Sequence, residues 1–326
     1  MSLKRPHEIT LDRHIIPIPC YFPSISSIKT NLSPLDYLQV LYAVGYPLFL
    51  ISAYDIYQSP PEDQEKIHSL LRTAKNKGGI ILLDSGNYES FWNRDNSWNI
   101  DRYRNILKLS NHTIAFAYDF QNPSLSPHDI VSIITNQVHE DRKYSSNGLV
   151  VPIIHGIKNN LAEMIYDVAI KTDPVIVAVP ERILGDGIIE RAKTVLEIRQ
   201  KMNDSGHYYL LHLLGTGNPR SILLYAICGA DSFDGLEWCQ TTVDHNTGLL
   251  YHFQQRELFG NQSPFCKLQN FPYTQATLGH NLLFYQMWMG KLHQHIKDND
   301  VLDLAKEYFP KELLNVIDSY LNGFCK

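Results

Sequence analysis

Eight short apolar runs recur along the chain, and each ends in a polar or glycine-containing turn. They read IIPIPCYF (15–22), YPLFLISAY (46–54), GIILLDSG (79–86), HTIAFAYDF (112–120), GLVVPIIHG (148–156), DPVIVAVPE (173–181), YYLLHLLGTG (208–217) and ADSFDGLEW (230–238). Between them the apolar positions fall at helical spacing. SPHDIVSIITNQVHEDRK opens with Ser126 as an N-cap and Pro127 at the first helical position. NNLAEMIYDVAIKT, GIIERAKTVLEIRQKMN and NPRSILLYAICG behave alike, the last stopping at Gly229. Strands alternating with helices predict a parallel α/β architecture. About eight such units favour a (β/α)8 TIM-type barrel over an open sheet. After residue 250 the pattern changes. A loop rich in Gln, Pro and aromatics (254–279) leads into a long helix, GHNLLFYQMWMGKLHQHI, and a helical tail. The expected organisation is one domain: a barrel over 1–253, with the loop and C-terminal helices of 254–326 packed on it. Met287, Trp288 and Met289 are expected on the buried face of the long helix, and Phe259, Phe265, Phe271 and Tyr273 are expected to pack the loop.

Composition narrows this only a little. A chain of 326 residues, 44% hydrophobic, can bury a sizeable core. No apolar run approaches the roughly 18 residues of a membrane span, and MSLKRPHEITLDRH lacks an apolar leader core. Cys20, Cys228, Cys239, Cys266 and Cys325 are scattered and form no disulfide framework, so a reducing cytoplasm is expected. The net charge of −5 neither advertises nor excludes a nucleic-acid partner, since a local basic patch can coexist with it.

In a barrel the strand tips converge on one face. Here the tips carry Asp84, Asp119, His155, Glu181, Asp186, His212 and Asp234, with backbone-rich turns at Gly185 and at Gly215-Thr216-Gly217. Each has a plain structural reading. An Asp after a strand is most often a turn or cap residue, a His most often satisfies a local hydrogen bond, and GTGNP is most often a helix entry. Several carboxylates on one rim are harder to dismiss. Paired Asp/Glu groups suit glycosyl chemistry, in which one attacks C1′ and the other handles the leaving-group proton.

Five segments, in order, resemble the tRNA-guanine transglycosylase family over about residues 15–295. LLDSGNYE is similar to its TDSGGFQ signature, and HLLGTGNP followed by GADSFDGLEW to its GxGxP, helix and DxFD nucleophile segment. LISAYDIY resembles GNTYHLY, AFAYDFQNP resembles the AFDECxP base-recognition loop, and GHNLLFYQ resembles the LHNLxYY helix start. The resemblance implies a (β/α)8 barrel that exchanges guanine in a nucleic-acid strand for a 7-deazaguanine. It makes Asp234 the nucleophile and Asp84 the general acid/base. Ser85 would hold the base, Tyr88 would stack on it in place of the family's Phe, and Asp119 would accept from its N1 and N2 edge. His155 stands where the family has Gln. Asp186 sits near the Glu of the family's VGE, after Val179-Pro180-Glu181 in place of GGL.

Two departures bear on the substrate. The family's structural zinc site needs three Cys and a His, whereas only Cys266 and His280 remain nearby. A tetrahedral site cannot be filled by two ligands, so the zinc subdomain is expected to be degenerate and no cofactor is expected. After the nucleophile, Gln240 stands where tRNA-acting members carry the first of an Arg pair. These changes resemble the DpdA-type DNA-guanine transglycosylases. That branch implies DNA as substrate with the duplex opened locally, 7-cyano-7-deazaguanine (preQ0) as incoming base, and a partner ATPase of a DNA-modification cluster. Arg94, Arg102, Arg104, Lys158 and Arg220 are the backbone-contact candidates beside Gln240, each equally readable as a solvated helix face. Action on tRNA or another RNA is the nearest alternative, and a non-catalytic accessory subunit is the alternative of another class. Retention of both Asp84 and Asp234 argues against the latter.

Overall fold

The computed structural model describes residues 3–11, 14–119, 125–146, 148–267 and 271–324. Among these, β1 (Glu8–Leu11) and β2 (His14–Pro17) form an antiparallel hairpin. Then come β3 (Cys20–Ile25), β4 (Leu48–Ser52), β5 (Ile80–Asp84), β6 (Ile114–Phe116), β7 (Leu149–Val151), β8 (Ile176–Pro180), β9 (Leu210–Leu214) and β10 (Ser232–Gly235). These eight are parallel and lie in the order β7-β6-β5-β4-β3-β10-β9-β8. The two edges meet. Ile153 bridges Ala178, the Ile154 N–H donates to the Ala178 carbonyl at 2.9 Å, and the Ala178 N–H donates to the Pro152 carbonyl at 3.0 Å. The sheet is therefore TIM-barrel-like, with strands too short and too apolar to survive exposed and helices covering their outer face. A last antiparallel pair, β11 (Thr241–Val243) and β12 (Leu250–His252), follows the barrel.

Two apolar layers result. Outward-facing residues such as Ile51, Leu83, Val177 and Phe233 pack with Leu41, Ile67, Ile165 and Val195 of the helices. Inward-facing residues, among them Phe22, Leu82, Phe116 and Ala178, fill the barrel and run continuously into Leu11, Ile16 and Ile18 of the hairpin. The hairpin thus plugs the end where the strands begin and leaves the other end open. Ser126 caps Pro127–Arg142 as expected, accepting from the Asp129 N–H.

The structure corrects several expectations. The run at 15–22 is not one strand. Pro17 and Pro19 cannot donate to a ladder, and the chain splits there into the hairpin's second strand and β3. The long helix is Tyr273–Lys297, beginning six residues before Gly279, so much of the supposed loop is helical. Short 3-10 turns at Phe253–Phe259 and Pro264–Lys267 take up more of it, and its residues 268–270 lie outside those described. Phe259 is buried but Phe271 is exposed. Trp288 and Met289 face the core, whereas Met287 is 59% exposed, one position round the helix. Cys20, Cys228, Cys239 and Cys266 are free thiols, and Cys325 lies outside the described residues.

No helix among the described residues is long and apolar enough to cross a membrane. His280, which the sequence resemblance set in the place of a zinc-binding His, spends both ring nitrogens internally. Nδ1 faces Ser263 Oγ at 2.9 Å and Cys266 Sγ at 3.4 Å, and Nε2 faces the Val243 carbonyl at 2.8 Å. Among the described residues no three His, Cys, Asp or Glu side chains gather as ligands for a metal ion. The residues present do not fit a structural zinc.

Candidate active site at the strand tips

The open end holds a cavity of about 440 Å³, lined by Asp84, Asp119, His155, Glu181 and Asp234 of the expected ring and by Ser85 and Tyr88. Such a volume suits one small molecule or one extruded base. Asp234, near the C-terminal end of β10, is buried and held by several groups. Ser24 Oγ donates to Oδ2 at 2.6 Å, the Gly215 N–H donates to Oδ1 at 3.0 Å, and His212 Nε2 lies 3.2 Å from Oδ1. His212 is itself steered by Ser232 Oγ, 2.7 Å from Nδ1. It lies wholly beneath the cavity floor, so it positions Asp234 rather than facing a ligand.

Asp84 closes β5 opposite Ser52 of β4. The turn after it is fixed by Gly86. At φ +84° this residue favours glycine, and an added Cβ would fall 2.4 Å from that of Tyr54. Its N–H donates to Asp84 Oδ2 at 2.9 Å. The Trp98 indole N–H donates to the Ser85 carbonyl at 3.1 Å, and Asn87 Nδ2 donates to the Asp119 carbonyl at 2.9 Å, tying the β5 and β6 turns together. Burial pushes the Asp84 carboxyl up to about 7; the Gly86 N–H opposes this, and Asp119 and Asp234 add to it by repulsion. Asp84 therefore still carries a proton near neutrality, which a general acid needs.

Across the cavity His155 Nε2 lies 2.8 Å from Asp119 Oδ1, an ion-pair contact if the ring is protonated. Glu181 accepts from Arg191 Nη1 and Tyr225 Oη, both at 2.9 Å, so its charge is matched. Two further carboxylates line the same cavity and were not singled out from sequence. Glu89 is 4% exposed and accepts from Ser26 Oγ at 2.6 Å and Ser52 Oγ at 2.9 Å. Burial, reinforced by Asp55 and Asp84, pushes it up to about 8. Glu237 lies against Gly217 and Gly235, where any Cβ would collide with its carboxyl, and burial pushes it up to about 7. The available signal was thin: an acid five residues after Asp84, and another three after Asp234.

Asp186 does not join the cavity. It is exposed on the turn after Gly185 (φ +144°), and its N–H donates to Glu190 at 2.9 Å. Among the expected backbone contacts, Gln240 does line the cavity, its amide donating to the Lys29 carbonyl at 3.2 Å. Arg94 is exposed beside the mouth helix Asn87–Trp92. The others are engaged. Lys158 pairs with Glu190, and Arg220 donates to the Thr247 carbonyl at 3.1 and 3.3 Å. Arg104 pairs with the buried Asp141 at 2.8 Å, and Arg102 bonds Ser97. Lys29, Arg182 and Arg191 are the cations that line the cavity instead.

The fold and the site define a TIM-barrel-like α/β protein with a carboxylate-rich cavity at the C-terminal ends of its strands. Comparison of the chain with family models and with curated protein sequences returned no match.

Proposed function

We propose that this protein is a base-exchanging glycosyltransferase that replaces guanine in DNA with a 7-deazaguanine, preQ0 being the incoming base the sequence resemblance favours. The observation that carries the reading is a pair of carboxylates in one cavity with unlike surroundings. Asp234 is oriented by hydrogen-bond donors, while Asp84 is half-buried in the cavity wall and pushed up to about 7.

In the first half-reaction an Asp234 oxygen attacks C1′ of an extruded nucleotide. The C1′–O bond forms as the C1′–N9 bond to guanine breaks, and the Asp84 proton passes to the departing base. In the second half the incoming base attacks C1′, its N9 proton passes to Asp84, and the aspartyl ester bond breaks. One N-glycosidic bond replaces another, so neither an oxidant nor a nucleotide triphosphate is required. Tyr88 and Ser85 flank the space for the base, and Asp119 with His155 forms a polar edge for it. The uncharged Gln240 at the mouth, in place of the arginine of tRNA-acting members, supports DNA as the strand. A partner ATPase would serve to open duplex DNA.

The test incubates purified protein with labelled guanine and single-stranded DNA, duplex DNA or total tRNA. Label should enter DNA, single strands most readily, and Asp234→Ala should lower incorporation by about 10³-fold or more. A protein–DNA adduct stable to denaturing gels should form with the wild type alone. Label entering tRNA only would overturn the choice of strand. No incorporation into any nucleic acid would overturn the exchange reaction.

A further inference from the structure

The mouth of the cavity carries more aromatic surface than the Tyr88 that base exchange uses. Tyr88, Phe91 and Trp92 stand on one six-residue helix, Asn87–Trp92, and are 39%, 73% and 49% exposed. Their rings are contiguous. Tyr88 meets Trp92 edge-on at 6.3 Å between centroids, and Phe91 meets Trp92 at 5.7 Å. Single exposed apolar residues are ordinary; a joined cluster of aromatics at a cavity mouth marks a binding surface.

Its surroundings identify the occupant. Lys29 Nζ lies 4.7 Å over the Trp92 ring, from a loop that also lines the cavity. Exposed Arg182 lies on the cavity wall near Tyr88, and exposed Arg94 stands two residues beyond the end of the helix. The interior, walled by the carboxyl groups of Asp84, Glu89, Asp234 and Glu237, suits a neutral hydrogen-bonding base better than a phosphate. The rim, with Lys29, Arg182 and Arg94, attracts phosphate. Exposed aromatic faces beside cations, continuous with a base-sized cavity, fit a strand of unpaired nucleotides.

We propose that Phe91 and Trp92 form a ledge on which a base next to the extruded nucleotide stacks, with Lys29 against its phosphate. The inference deepens the proposed function and rests on its nucleic-acid substrate, but not on its chemistry. Unpaired bases flanking the reacting one would be held open by the ledge, so it selects single-stranded or locally melted substrate.

The test is a fluorescence titration with a 12-nucleotide oligothymidylate. Trp98, Trp238 and Trp288, the other tryptophans of the chain, are buried, so quenching reports Trp92. The oligonucleotide should quench the wild type and the exchange-dead Asp234→Ala protein alike. In anisotropy titrations with labelled oligonucleotide, a Phe91→Ala/Trp92→Ala double variant should bind roughly tenfold more weakly. Trp92→Phe, which keeps a stacking face, should bind within a few-fold of wild type. Lys29→Gln should flatten the dependence of affinity on salt. Equal affinity in the double variant and the wild type, with labelled guanine still entering DNA, would overturn the ledge and leave the exchange reading intact. Ledge-dependent binding without any exchange would keep the ledge and remove the chemistry. Self-association that depends on Phe91 and Trp92 and excludes the oligonucleotide would make the ledge a dimer contact and overturn it.

Discussion

At the end of the barrel where the strands begin, the fully buried Asp231 lies between Arg5 and Arg199. It also accepts from Tyr208 Oη at 3.0 Å and the Leu211 N–H at 2.9 Å. At the end where the strands finish, Glu89 is buried and Asp84 and Glu237 are half-buried in the cavity wall, yet none has an ion pair among the described residues. Both ends take carboxylates out of water, which is costly unless the charge is matched or lost. At the closed end Asp231 is matched by guanidinium groups, whereas at the open end Asp84, Glu89 and Glu237 retain protons beside the paired Glu181. The contrast separates carboxylates that hold the fold from carboxylates available for chemistry, and it follows the division of labour between the two faces of a barrel.

The sharpest way to break the contrast is to change one acid at each end. Under the proposed reaction, Asp84→Asn removes the proton that a departing guanine would take, so exchange should fall by about 10²–10⁴-fold. Its thermal midpoint should be no lower than that of the wild type at neutral pH, because an acid raised by burial from 3.8 to about 7 costs stability progressively as pH rises between those values. In the wild type, the proposed guanine-releasing half-reaction would need the protonated form. Its rate should hold below about pH 7 and fall about tenfold per unit above it. Single-turnover guanine release across pH checks this. A flat profile that persists through pH 9 would remove Asp84 from the acid role.

Asp231→Ala should do the reverse. It strands Arg5 and Arg199 without their shared anion, which costs about 3–5 kcal/mol in denaturant unfolding. The folded fraction should keep exchanging at the wild-type rate, since Asp231 lies at the far end from the cavity. Loss of activity without loss of stability would mean that the two ends are not separable in this way.

The sequence made one end far more legible than the other. The eight parallel strands follow from apolar runs that stop at polar turns, and Asp84 and Asp234 follow from their places at strand tips. The plug did not, because IIPIPCYF carries the apolarity of a strand across two prolines that break it. Glu89 and Glu237 were illegible for a different reason. Their importance comes from what encloses them, Ser26 and Ser52 for one and the bare faces of Gly217 and Gly235 for the other, all distant in sequence. Asp186 shows the converse error. It holds the expected place in the chain, but Gly185 turns the backbone outward before reaching it. Lys158 and Arg220 read as free cations only while Glu190 and the Thr247 carbonyl are unseen.

Glu89 offers the smallest expected effect and the finest test of the contrast. Its carboxyl goes from 4.5 in the open chain to about 8 in the fold, through burial first and then repulsion by Asp55 and Asp84. Between those values the folded protein holds a proton that the unfolded chain has released. Stability therefore declines as pH rises through this window, and the contribution is lost once pH passes about 8. Glutamine has nearly the same shape, can satisfy both serines and stays neutral throughout. Glu89→Gln should accordingly match the wild type near pH 5 and exceed it at pH 8.5, by roughly 2–4 °C in thermal midpoint for each kcal/mol recovered. Calorimetry at the two pH values gives the answer. Parallel shifts at both would place the retained proton on Asp55 or Asp84 instead. Asp231→Asn, which removes a charge its arginines require, should lower the midpoint at both pH values. The same carboxylate-to-amide exchange would then stabilise one end of the barrel at high pH and weaken the other, which is what unmatched and matched burial demand.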